Sequence, residues 1–202
     1  MSAFLGPIHT WLYNKIKFQD ELTKAILKMV ADKGYGEAAL LKLADSCGVL
    51  EEGELADIIN ESNIHGWLQE RVTVVENRLA FVVTAVLEGH PERIKDISDA
   101  VYNFGKKHEG ENNLSVKEAF VHLENTLLNG MPCDRVNTIV NETEEAIVWA
   151  QNVDIHEPYW KMFKGDVQNY YVIRESLIKG MFENSGIIYR HVGDHIFELK
   201  KI

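Results

Sequence analysis

At about residue 130 the spacing of apolar residues changes, and this limits the chain to folds in which a helical segment precedes a small mixed segment. Up to that point the apolar residues recur at helical spacing. Phe4, Ile8, Trp11, Leu12, Ile16, Leu22, Ile26, Met29 and Val30 share one broad stripe, entered at Gly6-Pro7 and closed by Gly34 and Gly36. Residues 37–47 and 52–60 read as two shorter helices. Ser62 or Asn63 caps a second long helix over 64–87, ended by Gly89, and Pro91 opens another that runs to 107. Ser115-Val116-Lys117-Glu118 is a capping box, and the helix it starts stops at Gly130.

After Met131-Pro132 the pattern differs. Apolar runs at 136–140 and 146–150 flank a polar stretch and predict a hairpin. Glu157-Pro158 opens a helical stretch, and Asp166 is an N-cap for a helix over 167–183. Runs at 187–192 and 195–199 flank Gly193-Asp194, a two-residue turn in which glycine can supply the positive φ. The expected architecture is mainly α: a helical bundle over 1–130, then a small α+β region over 131–202. In that second region a hairpin-helix-hairpin unit forms one antiparallel sheet with the last helix across a face.

Within this frame one motif occurs twice. Ile8-His9-Thr10-Trp11-Leu12-Tyr13-Asn14-Lys15-Ile16 is echoed by Ile64-His65-Gly66-Trp67-Leu68-Gln69-Glu70-Arg71-Val72, so I-H-x-W-L-x-x-[KR]-[IV] opens both long helices. At about 100° per residue, Lys15 falls inside the first apolar stripe, Arg71 and Arg78 inside the second, and Arg174 inside that of the last helix. A buried unpaired charge is costly, so these four cations pair with carboxylates, reach water along their stems, or face a bound anion. Asp20, Glu70, Glu76 and Glu175 are available partners. The third outcome predicts a cavity lined by Lys15, Arg71, Arg78 and Arg174, together with Trp11 and Trp67, for a carboxylate or phosphate ligand. Otherwise the two tryptophans are core aromatics whose indole N–H finds a carbonyl.

His9 and His65 stand in the first turns of their helices. If the repeat is spatial as well as sequential, the two imidazoles meet and can ligate a transition metal or a haem iron. No His-x-x-x-His, Glu-x-x-His or Cys-x-x-Cys spacing accompanies them. His156, beside Asp154 and Glu157, is a candidate for acid and base chemistry or for a packed helix entrance. His191 and His195 flank a turn and are expected to be solvated. There is no nucleophile elbow, P-loop or dinucleotide fingerprint, and Gly34-Tyr35-Gly36 reads as a turn between helices. No motif specifies a cofactor.

Composition narrows the partners. Acidic residues outnumber basic ones 31 to 21, a net charge of -10, which opposes nucleic-acid binding. The run from Leu79 to Leu87 is too short to span a bilayer, so no membrane partner is expected. Cys47 and Cys133 match no metal, redox or disulfide framework, and residues 1–7 lack the pattern of a secretory signal, so a cytoplasmic location is expected. The sequons at Asn113 and Asn141 then carry no meaning.

Phe4-Leu5-Gly6-Pro7-Ile8-His9-x-Trp11-Leu12, taken with Ile64-His65-Gly66-Trp67-Leu68, resembles an uncharacterised bacterial family with paired I-H-x-W-L helix starts. That likeness implies no activity. From Cys133 onward the order of elements resembles the small-ligand-binding α+β modules of the vinyl-reductase-like group, which implies a ligand pocket. The cysteines which that group carries near its final hairpin have no counterpart here. The expected function is a small-molecule-binding or sensory protein whose apolar pocket holds an anion on cationic and histidine anchors. The alternatives are a metal-dependent or acid/base hydrolase using His9, His65 or His156, and a helical homodimer that serves interaction.

Overall fold

The computed structural model describes residues 5–110 and 113–202, with side chains for all of these except 37 and 38. Phe4, which its spacing assigns to the first stripe, lies outside the described residues. The helices are α1 (Pro7–Lys33), α2 (Glu37–Asp45), α3 (Leu55–Ile58), α4 (Ile64–Leu87), α5 (Ile94–Lys106), α6 (Val116–Thr126), α7 (Glu157–Met162) and α8 (Gln168–Met181). The strands are β1 (Asn137–Glu142), β2 (Ala146–Gln151), β3 (Ile187–Gly193) and β4 (Ile196–Lys201). A mainly helical region thus precedes one antiparallel sheet of order β1-β2-β4-β3, two hairpins joined through β2 and β4. No described helix is long and apolar enough to cross a membrane.

The two long helices run side by side in the same direction. Near their starts His9 meets His65 and Tyr13 packs on Trp67, and further along Asp20 faces Arg78. Equivalent positions of the motif therefore lie at the same level. Leu12 and Leu68, with Ile16 and Val72, bury themselves in a small core of their own that Leu55, Ile59 and Leu128 complete.

A larger core gathers the C-terminal half of α1 with α4, α5, α6, α8 and the sheet. Alternation along β2 turns Ile147, Trp149 and Gln151 inward, in register with Leu199 and Phe197 on β4, and Tyr189 on β3 joins them. Phe120 of α6 meets Trp149 edge-on. The change of character at residue 130 is therefore a change of secondary structure within one shared core.

The crossing of α5 and α8 depends on two glycines. A Cβ on Gly105 would stand 2.3 Å from the Leu177 carbonyl oxygen, and one on Gly180 would stand 2.1 Å from that of Tyr102. Backbone meets backbone there, so no neighbouring side chain can yield.

Four local expectations change. The helix expected over 52–60 shrinks to α3, followed by a 3-10 turn at Glu61–Asn63 whose N-cap is Asn60. The final turn is Asp194-His195, and His195 carries the positive φ, 50°, in place of Gly193. β1 begins after Val136 and is bulged between Ile139 and Asn141. α6 stops at Thr126, not at Gly130: Leu127 is extended (φ -79°, ψ 132°), so Leu127 enters the large core and Leu128 the small one. Burying both leucines in separate cores requires the helix to open, and the opened segment forms one wall of the site.

Candidate functional site

Lys15 is where the stripe anomaly becomes a site. It lies on α1 at 3% exposure, and among the described residues no carboxylate pairs with it. Its Nζ stands 4.0 Å from the centroid of Trp11, one turn earlier. Its pKa falls from 10.5 to about 8, the net of burial, which lowers it most, of Glu124, which opposes the fall, and of Arg174, which adds to it. At neutral pH the amine stays mostly protonated, a cation in a poorly solvated place.

Lys15 opens into a cavity of about 180 Å³ lined by Ile8, Trp11, Glu124, Asn129, Arg135 and Asn137, among others. Three segments build its walls: α1, the end of α6, and the loop from Leu127 into β1. Asp134 clamps that loop, its Oδ2 accepting the Met131 N–H at 2.8 Å, and Gly130 (φ 70°) leaves room for the clamp. A Cβ at residue 130 would fall 2.5 Å from that same Oδ2. Arg135 also holds a left-handed backbone conformation (φ 47°), a small strain of the kind that collects at binding sites.

The polar groups of the cavity are not internally satisfied. Asn137 donates from Nδ2 to Glu124 Oε1 at 2.8 Å, but its Oδ1 is buried without a partner among the described residues. Both polar atoms of the Asn129 amide are buried and find no partner among the described residues either. Buried polar groups find partners in the protein or in ordered water, and here three amide atoms without a protein partner among the described residues gather on the lining of the Lys15 cavity. Trp11 has a structural tie of its own, its indole N–H donating to Asn125 Oδ1 at 2.9 Å.

The other predicted cations have different surroundings. Arg71 stacks on Trp67 at 3.9 Å and pairs with Glu51 and Glu70. Arg78 is sealed by Asp45 at 2.8 Å and Asp20 at 3.6 Å, and donates to the carbonyls of Ala44 and Gly48. Neither lines the Lys15 cavity, so the single pocket expected for all four cations is not formed: tertiary neighbours supply these two with acids. Trp67 is buried in the small core and does not line that cavity. Arg174 is buried, pairs with no carboxylate among the described residues, donates to Gln151 Oε1 at 3.0 Å and lies over the Phe197 ring. It is near enough to lower the Lys15 pKa.

His9 and His65 do meet, Nε2 to Nε2 at 3.3 Å. His9 Nδ1, however, accepts the Gly6 N–H at 2.9 Å, so in the neutral ring the proton sits on Nε2 and points toward His65. A metal at both Nε2 atoms would have to displace that proton and the cap. Among the described residues no cluster of three or more His, Cys, Asp and Glu surrounds a possible metal position. His156 turns to neither Asp154 nor Glu157: Asp154 caps the α7 entrance by accepting the backbone N–H groups of both His156 and Glu157. The imidazole instead meets Glu76, its Nδ1 lying 3.1 and 3.2 Å from the two oxygens, and stacks on Tyr170. Both members are buried, at 0% and 1% exposure. His195 is half-buried against Tyr171, while His191 is exposed.

Asn129, Asn137, Glu124 and Arg135 had no periodic signal in the sequence. The only local hint is Asn129-Gly130, which reads as a turn. Larger clefts exist, one of about 380 Å³ beside Phe81 and Phe163 and one of about 330 Å³ beside Glu76, but neither is floored by a buried cation without an acid.

Fold and site together define a mainly helical α+β chain with a small polar pocket on one side of its first helix. Compared with protein-family models, curated proteins and solved structures, the chain matches none, so function has to be argued from this geometry.

Proposed function

We propose that the protein binds a small anionic metabolite in the Lys15 pocket and acts as a binding or sensory protein. The observation that carries this reading is a buried ammonium that pairs with no carboxylate among the described residues, in a chain with a surplus of ten acids over bases. Acids are not scarce, and Arg71 and Arg78 both obtained them. An ammonium left unpaired beside orphaned amides costs stability in the free protein, and a bound anion returns that cost as affinity. A volume of about 180 Å³ suits a metabolite of a few heavy atoms and is too small for a nucleotide or drug-sized ligand.

The test is calorimetry and thermal unfolding of the full chain with a panel of small carboxylates, amino acids among them, and inorganic phosphate. At least one carboxylate should bind and raise the unfolding temperature. Lys15→Met should abolish that response and Arg71→Met should retain it. An unchanged response in Lys15→Met, or none from any ligand in the native chain, overturns the reading.

A further inference from the structure

The Lys15 pocket carries acceptors as well as a cation, and the two are arranged on different walls. Lys15 Nζ projects from α1, whereas Glu124 lies at the end of α6 and Asn137 at the start of β1. Lys15 and Glu124 sense each other electrostatically but do not pair. The Glu124 carboxylate takes its hydrogen bond from Asn137 instead, and that bond fixes the Asn137 amide so that its Oδ1 is the unpartnered atom. Asn129 adds one further orphaned acceptor and one orphaned donor.

A simple anion satisfies only the donors of such a cavity. It would leave Asn137 Oδ1 and the Glu124 carboxylate facing negative charge, and like charges brought together in a poorly solvated site repel strongly. A simple amine satisfies only the acceptors and meets Lys15. From this split we infer that the pocket takes a small zwitterion of the α-amino acid type. The inference rests on the anion-binding reading above and narrows its ligand class. The ligand carboxylate lies against Lys15 Nζ and the Asn129 amide N–H, and the ligand ammonium donates to Glu124 and Asn137 Oδ1. Trp11 and Ile8 leave an apolar wall for a short side chain. Arg135, at the rim, is exposed and contributes positive potential at the entrance.

The test uses the full chain and the twenty standard L-amino acids by calorimetry. Each responder is then compared with its deaminated carboxylic acid and its decarboxylated amine. The expected result is at least one amino acid that binds at least tenfold tighter than either truncated partner. Glu124→Gln should weaken the amino acid at least tenfold while leaving the deaminated acid as tight as before or tighter. Wild-type data alone decide the matter if that variant folds poorly. A deaminated acid that binds as tightly as its amino acid overturns the zwitterion while leaving the anion site standing. Silence from every carboxylate overturns both.

Discussion

Replacing Lys15 with methionine should make the protein more stable and unable to bind. The shift of the Lys15 pKa from 10.5 to about 8 means that folding works against the charged amine. At about 1.4 kcal/mol for each power of ten, the cost at neutral pH is about 3 kcal/mol. The stack on Trp11 returns about 1 kcal/mol. Methionine fills similar volume, keeps contact with the indole and carries no charge, so Lys15→Met should gain about 2 kcal/mol at pH 7. The sign follows from the direction of the shift. Below about pH 8 the amine is charged in both folded and unfolded chains and the cost is fully present. As pH rises from there toward 10.5, the folded chain loses its proton first, so wild-type stability climbs toward that of the variant.

Urea unfolding of both proteins across that range isolates Lys15, because every other titrating group is common to the pair. The slope of the unfolding curve should be unchanged between them. A variant less stable than wild type at neutral pH, or a gap that does not narrow with rising pH, would refute the claim that Lys15 is held at a cost for the sake of a ligand.

Three further outcomes follow from the packing. Gly180→Ala drives a methyl into the Tyr102 carbonyl oxygen and should cost about 3 kcal/mol in chemical denaturation; a loss under about 0.5 kcal/mol would mean that the α5–α8 crossing can slide apart. Arg78→Met should cost about 2 kcal/mol, because it takes one of two cations from the buried Asp20, whose other partner is Lys24, and frees the Ala44 and Gly48 carbonyls, and limited proteolysis should then cut near residue 48; an uncut, equally stable variant would disprove the pairing. Equimolar zinc should leave the unfolding midpoint unchanged, since His9 Nε2 carries its proton while Nδ1 caps Gly6; a rise that His65→Ala abolishes would show that the rings turn to ligate.

What could be read in advance divides along sequence distance. Helical stripes are local, so α1, α4, α5 and α8 were legible within a few residues, and so were the two hairpins. The joining of β2 to β4 in one sheet follows from having only two hairpins to pair, but the packing of that sheet against α6 depended on Phe120 reaching Trp149. Lys15 and Trp11 were legible because a cation inside an apolar stripe is a local contradiction. Their neighbours were not, because Glu124, Asn129 and Asn137 come from segments more than a hundred residues away, and because α6 opens at Leu127 for the sake of two separate cores. For the same reason the partner of His156 is not legible locally, since Glu76 lies eighty residues earlier in the chain.

The duplicated motif marks the site through the difference between its copies. Both place a cation one turn after a tryptophan, stacked at 4.0 Å in α1 and 3.9 Å in α4, on helices that run in parallel. The local geometry is the same, so stacking alone cannot account for the different roles of Lys15 and Arg71. The copies diverge one position earlier: Glu70 precedes Arg71 and pairs with it, whereas Asn14 precedes Lys15. Glu51 supplies Arg71 with a second acid, while the segment facing Lys15 offers amides and a carboxylate already engaged by Asn137. One copy has its charge neutralised from within the protein and serves the fold. The other keeps its charge over a cavity, and that asymmetry, with the Trp-cation pair as its constant background, is the strongest argument that Lys15 is kept for something outside the chain.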